Sequence, residues 1–110
     1  MTSLSTHVLD SATGTPATGM AVRLERRDET GWTELGTGVT DPDGRLKDWG
    51  AAVMTPGEHR LTFDTGSWFA AQDRECFYPE VTVAFTVKDD RHYHVPLLLA
   101  PYAYSTYRGS

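Results

Sequence analysis

Apolar and polar residues alternate with period two along most of this chain, the signature of strands half-buried against a core. Residues 79–87, Pro-Glu-Val-Thr-Val-Ala-Phe-Thr-Val, give the cleanest example. Val81, Val83, Phe85 and Val87 fall on one face and Thr82, Ala84 and Thr86 on the other, which predicts a core strand. The same reading places strands at 4–10, 20–26, 32–39, 60–64 and 93–99, with a short closing strand at 104–108. Pro, Gly and Asp clusters at 13–16, 41–44 and 55–58 break pairing between them, because they fix or free backbone angles that a strand does not use. One stretch differs: Asp64 or Thr65 is suited to cap a short helix over 67–72. Seven or eight short strands with one helix indicate an all-β sandwich, read as a single domain over 1–110.

The segment 93–99, Tyr-His-Val-Pro-Leu-Leu-Leu, is apolar on both faces. One face meets the domain's own core. The other is an exposed apolar stripe unless a second copy covers it, so an oligomer whose interface includes this strand is expected. Pro96 lacks a ladder donor, which makes regular pairing doubtful there.

A chain of 110 residues suits one domain and leaves little material for a deep internal pocket. The formal charge is −5, and all 15 acidic side chains lie before residue 91. Residues 91–110 carry Arg91 and Arg108 and no acid, a weakly cationic, apolar island. With Lys47 and Lys88 as its only lysines, the chain has no clustered basic patch, and a nucleic-acid partner is excluded. The single Cys76 permits no internal disulfide and no Cys-x-x-Cys site. Neither a secretory signal, a membrane span nor a peroxisomal tripeptide is present, so a soluble, cytoplasmic protein is expected.

The standard nucleophile and phosphate-binding motifs are absent. What remains is four histidines: His7, His59, His92 and His94. His92 and His94, two apart on a strand, share a face, and His7 would supply a third nitrogen to a metal. No carboxylate or Cys sits at ligand spacing beside them, so no metal is expected. His59 adjoins the 55–58 turn and reads as a surface or structural residue, and His92 as structural. His7 shares a face with Leu9.

Five segments carry a family resemblance: residues 4–10 (Leu-Ser-Thr-His-Val-Leu-Asp), 40–45 (Thr-Asp-Pro-Asp-Gly-Arg), 77–81 (Phe-Tyr-Pro-Glu-Val), 92–102 (His-Tyr-His-Val-Pro-Leu-Leu-Leu-Ala-Pro-Tyr) and 104–110 (Tyr-Ser-Thr-Tyr-Arg-Gly-Ser). Together they resemble the transthyretin-related 5-hydroxyisourate hydrolases over essentially the whole chain. The closing Tyr-Arg-Gly-Ser is the diagnostic element, since transthyretin proper departs from it. Ala100, where the family often has Ser or Asn, is a small departure.

The resemblance implies a seven- to eight-stranded sandwich assembled as a homotetramer, a dimer of dimers with sites in a channel between dimers. It implies hydrolytic opening of the six-membered ring of 5-hydroxyisourate, without a cofactor. It places the catalytic residues at His7, Arg45, His94 and Tyr107, with substrate bound by His7, Arg45, Tyr107, Arg108, Gly109 and Ser110.

The residue types suit that chemistry on their own terms. Water attack on an acyl carbon needs a base near neutral pKa, which histidine supplies, and a fixed guanidinium stabilises the oxyanion that forms. His7 and His94 are therefore expected to orient and deprotonate water, with the choice of base open between them. Arg45 is expected to hold the anionic ring and the oxyanion, and Tyr107 to hydrogen-bond substrate. Arg45 and Arg108 are expected to disfavour imidazolium and keep the base neutral. The alternative is a transthyretin-like carrier that binds a small molecule in the same channel without reacting with it.

Overall fold

The computed structural model describes residues 2–109, and it places Ser110, one of the expected substrate-binding residues, outside the described part. Within it, nine strands and one helix run in the order β1 (Ser3–Asp10), β2 (Thr15–Pro16), β3 (Ala21–Asp28), β4 (Gly31–Val39), β5 (Arg45–Leu46), β6 (Gly57–Phe63), α1 (Thr65–Ala70), β7 (Val81–Val87), β8 (His92–Ala100) and β9 (Ala103–Thr106). Seven of these have four or more residues, as the alternation predicts; β2 and β5 are two-residue pairings.

The strands form two sheets. In the first, β2, β1, β8 and β9 lie side by side and β5 also pairs with β1; in the second the order is β4, β3, β6, β7. Their facing sides share one core. Leu4, Val8, Val95, Leu97 and Leu99 meet Val22, Leu24, Leu61, Phe63 and Val81, with Phe69 of α1 inserted at one end. Asp64 caps α1 by accepting a bond from the Ser67 amide at 3.2 Å, which starts the helix two residues earlier than its apolar run suggests.

Several expectations need correction. Residues 79–87 turn Val81, Val83, Phe85 and Val87 toward the core as expected, but β7 lies at the edge of its sheet. Val81 and Val87 are buried, while Val83 and Phe85 are only half-buried because one flank is open. The 13–16 and 55–58 clusters do not merely interrupt pairing, since Thr15–Pro16 pairs with β1 and Gly57 and Glu58 open β6. The closing strand ends at Thr106, and the chain returns to β8 only through a single bridge between Gly109 and His94.

The feature that positions the site is the pairing of β1 with β8. The two run parallel in continuous register, Ser3 beside His92 through Asp10 beside Leu99. Pro96 takes its place there opposite His7, so its missing donor does not interrupt the ladder. Side chains at odd positions of β1 and even positions of β8 consequently stand on the outer face of the sheet, away from the core.

Candidate active site

On that outer face β1 contributes Ser3, Ser5, His7 and Leu9, and β8 contributes His92, His94, Pro96 and Leu98. β5 adds Arg45 directly opposite His7. The turn before β5 explains why Arg45 sits there. The Asp41 carboxylate accepts from the amides of Asp43 and Arg45, both at 2.9 Å, and the Gly44 amide closes the turn on the Asp41 carbonyl at 2.8 Å. Gly44 has φ +77°, and a Cβ at this position would overlap the Val8 carbonyl oxygen, so only glycine lets the turn dock on β1.

The same turn orients His7. Its Nε2 lies 2.9 Å from the Asp43 carbonyl oxygen. A carbonyl only accepts, so Nε2 carries the proton and the neutral ring has its lone pair on Nδ1. His94 is held differently, with Nδ1 2.7 Å from the Ser5 hydroxyl. Its pKa is lowered, first by burial and then by the positive fields of His92, Arg45 and His7. Arg45 therefore helps keep the ring neutral as expected. Arg108 does not: its guanidinium lies 4.7 Å from the ring centroid of Tyr93, a core-facing residue of β8.

His7, Arg45 and His94 are thus brought together. Tyr107 and Arg108 approach from another side: with His94 they border a cleft of about 300 Å³ between the half of β8 that lies beyond β9 and edge strand β7. Tyr107 is 58 % exposed there. His94 belongs to both groupings. Gly109 locks it in place, donating its amide to the His94 carbonyl at 2.9 Å, and a Cβ on Gly109 would overlap the imidazole at Cδ2. A larger hollow of about 490 Å³ lies over the second sheet around Arg23, Thr37 and Asp64, and no histidine lines it.

Ser3 and Ser5 are the contacts that sequence reasoning missed on this face, and they join His92, already expected on the face of His94, to it. Their signal was present: with β1 beside β8, alternation alone puts them in line with His94. His59 proves wholly buried, stacked on Phe85 and donating from Nδ1 to the Gly57 carbonyl at 3.1 Å. Burial, and secondarily Arg26, lower its pKa, and it lies apart from the outer face. Among the described residues no three His, Cys, Asp or Glu side chains converge as a metal cage, and no helix is long and apolar enough to cross a membrane.

A two-sheet sandwich with a parallel β1–β8 pair inside one sheet, and histidines and an arginine on the outer face of that pair, defines a transthyretin-like protein. The chain belongs to the HIUase/Transthyretin family, whose model matches residues 4–109. It is 50 % identical to the 5-hydroxyisourate hydrolase of Salmonella typhimurium, over 97 % of this chain and 80 % of that one. It is 45 % identical to the Mus musculus 5-hydroxyisourate hydrolase, over 97 % and 94 %. Among solved structures, the Klebsiella pneumoniae 5-hydroxyisourate hydrolase superposes with a TM-score of 0.88 at 44 % identity, covering all of both chains. Transthyretin from Sparus aurata superposes equally well, with a TM-score of 0.89 over 96 % of this chain and 95 % of that one, at only 31 % identity. The backbone is common to hydrolase and transthyretin, so the fold alone does not distinguish them.

Proposed function

We propose that this chain hydrolyses 5-hydroxyisourate, opening its six-membered ring to 2-oxo-4-hydroxy-4-carboxy-5-ureidoimidazoline on the route from urate toward allantoin. The observation that carries this reading is the cluster of His7, Arg45 and His94 on one sheet face. Greater identity to the hydrolases than to transthyretin supports it.

A neutral imidazole takes one proton from water as the oxygen bonds to the ring's acyl carbon. Arg45 stabilises the resulting oxyanion by several kcal/mol in a water-poor site. The carbon–nitrogen bond then breaks, and a histidine N–H supplies the proton that the departing nitrogen takes up. His7 meets the base's requirement through its Nδ1 lone pair, and His94 lies beside it as the second acid–base group. Tyr107 and Arg108 bind the substrate from the cleft side.

The working unit is a homotetramer, with Leu9, Pro96 and Leu98 supplying the apolar end of the outer face that a partner copy covers. It acts in the cytoplasm and needs no cofactor. Removing residues 107–110 should leave the tetramer intact by sedimentation velocity and reduce hydrolysis to near the spontaneous rate. A truncated tetramer that clears substrate at the wild-type rate would refute the assignment, as would a full-length chain that binds the compound without turning it over.

A further inference from the structure

Beyond His7, Arg45 and His94, three polar side chains on the same face form one unbroken line. His94 Nδ1 lies 2.7 Å from Ser5 Oγ, Ser5 Oγ lies 2.8 Å from His92 Nε2, and His92 Nδ1 lies 2.6 Å from Ser3 Oγ. Register is the cause, since Ser3 stands opposite His92 and Ser5 opposite His94 in the parallel pair. The line starts at half-buried His94 and ends at exposed His92 and Ser3, away from the apolar end at Leu9 and Leu98.

A hydroxyl has one proton and a neutral imidazole has one, so Ser5 donates to one ring and accepts from the other. That constraint correlates the whole line. When His94 presents a lone pair at Nε2, its Nδ1 donates to Ser5, Ser5 donates to His92 Nε2, and His92 Nδ1 donates to Ser3. The opposite polarity puts the proton on His94 Nε2 and reverses every bond.

We propose that Ser5 and His92 are positioning residues that set the tautomer of His94 and pass the proton it accepts to solvent through Ser3. The step balances: a proton arrives at Nε2, the Nδ1 proton moves to Ser5, the Ser5 proton to His92 Nε2, and the His92 Nδ1 proton to Ser3, which releases its own to water. The line is left with reversed polarity and no net charge. Burial and the neighbouring His92, Arg45 and His7 disfavour a proton retained on His94, which gives the line its use. The proposal rests on the hydrolytic reading for its kinetic arm only.

Its test compares Ser5→Ala, Ser5→Thr, His92→Ala and the Ser5→Ala/His92→Ala pair, by steady-state kinetics and by long-range ¹H–¹⁵N NMR of the ring nitrogens. Ser5→Ala and His92→Ala should each lower kcat by about 10- to 100-fold with KM within about twofold, at or below the lower end of direct acid–base contributions, as suits residues that act through His94. Ser5→Thr should restore most of the loss, and the double variant should be no slower than either single one. His92→Ala should also shift the tautomer signature of His94, although the two rings are joined only through Ser5. Wild-type kcat in Ser5→Ala, multiplicative losses in the double variant, or an unchanged His94 signature in His92→Ala would overturn the proposal. If the wild type proves inactive, the hydrolytic reading fails and the NMR arm alone still decides whether the line exists.

Discussion

Replacing Gly109 by alanine perturbs the site with one methyl group. The backbone there is bridged to β8, the Gly109 amide donating to the His94 carbonyl at 2.9 Å. An added Cβ would stand 3.1 Å from His94 Cγ and 3.3 Å from its Cβ, and closer still to Cδ2. Carbon atoms rest at about 3.5–4.0 Å, so either the imidazole moves by roughly 1 Å or the terminal residues peel away from β8. A displacement of that size at a catalytic group costs on the order of 100-fold in rate. The stability loss should be small, about 1 kcal/mol for the one bridging hydrogen bond, or a Tm fall of about 4 °C in a domain of this size. The assay follows the ultraviolet absorbance of 5-hydroxyisourate generated in place by urate oxidase, alongside a thermal melt. A Gly109→Ala protein with wild-type kcat/KM would show that the Gly109 contact does not hold His94 in a working position.

Asp41→Ala removes the acceptor of two backbone amides at 2.9 Å and should cost about 1–2 kcal/mol while lowering kcat/KM, because Arg45 and the Asp43 carbonyl lose their anchor; urea unfolding and kinetics check both. His59 has a depressed pKa in the folded chain, so below about pH 6.5 the unfolded state binds more protons than the native one. Its contribution to stability is therefore full above that pH and lost as pH falls toward the folded value, and urea midpoints from pH 7.5 to 5 should drop less steeply in His59→Gln. His94 is depressed in the same way, so kcat/KM should stay level near pH 7 and fall as pH passes below the ordinary histidine range. A profile that rises below about pH 6 would contradict a histidine base.

Much of the fold was legible because alternation reports which side of a strand meets the core. β1, β3, β4 and β8 were found within a few residues for that reason, and the helix start lies at Asp64, one of the two caps offered there. Alternation does not report neighbours. Nothing in 79–87 distinguishes an edge from a central strand, and β2 and β5 exist only because β1 lies beside them. The parallel contact of β1 with β8 joins residues nearly ninety positions apart, and no local pattern encodes it. The candidate site was legible to the same depth. His7, Arg45 and His94 stood out by residue type and family resemblance, whereas the Ser5–His92 line and the place of Arg108 over Tyr93 follow from register and packing.

The central claim is that the cluster of His7, Arg45 and His94 turns a shared sandwich into a hydrolase. It is tested most directly by one absorbance experiment, in which freshly generated 5-hydroxyisourate decays alone, with the wild-type chain, and with Arg45→Ala, His7→Ala or His94→Ala at equal concentration. The wild type should collapse the signal far faster than the spontaneous decay, and each variant should lose at least about 100-fold of that acceleration. Decay at the spontaneous rate with folded wild-type protein, or at the wild-type rate with all three variants, would contradict it.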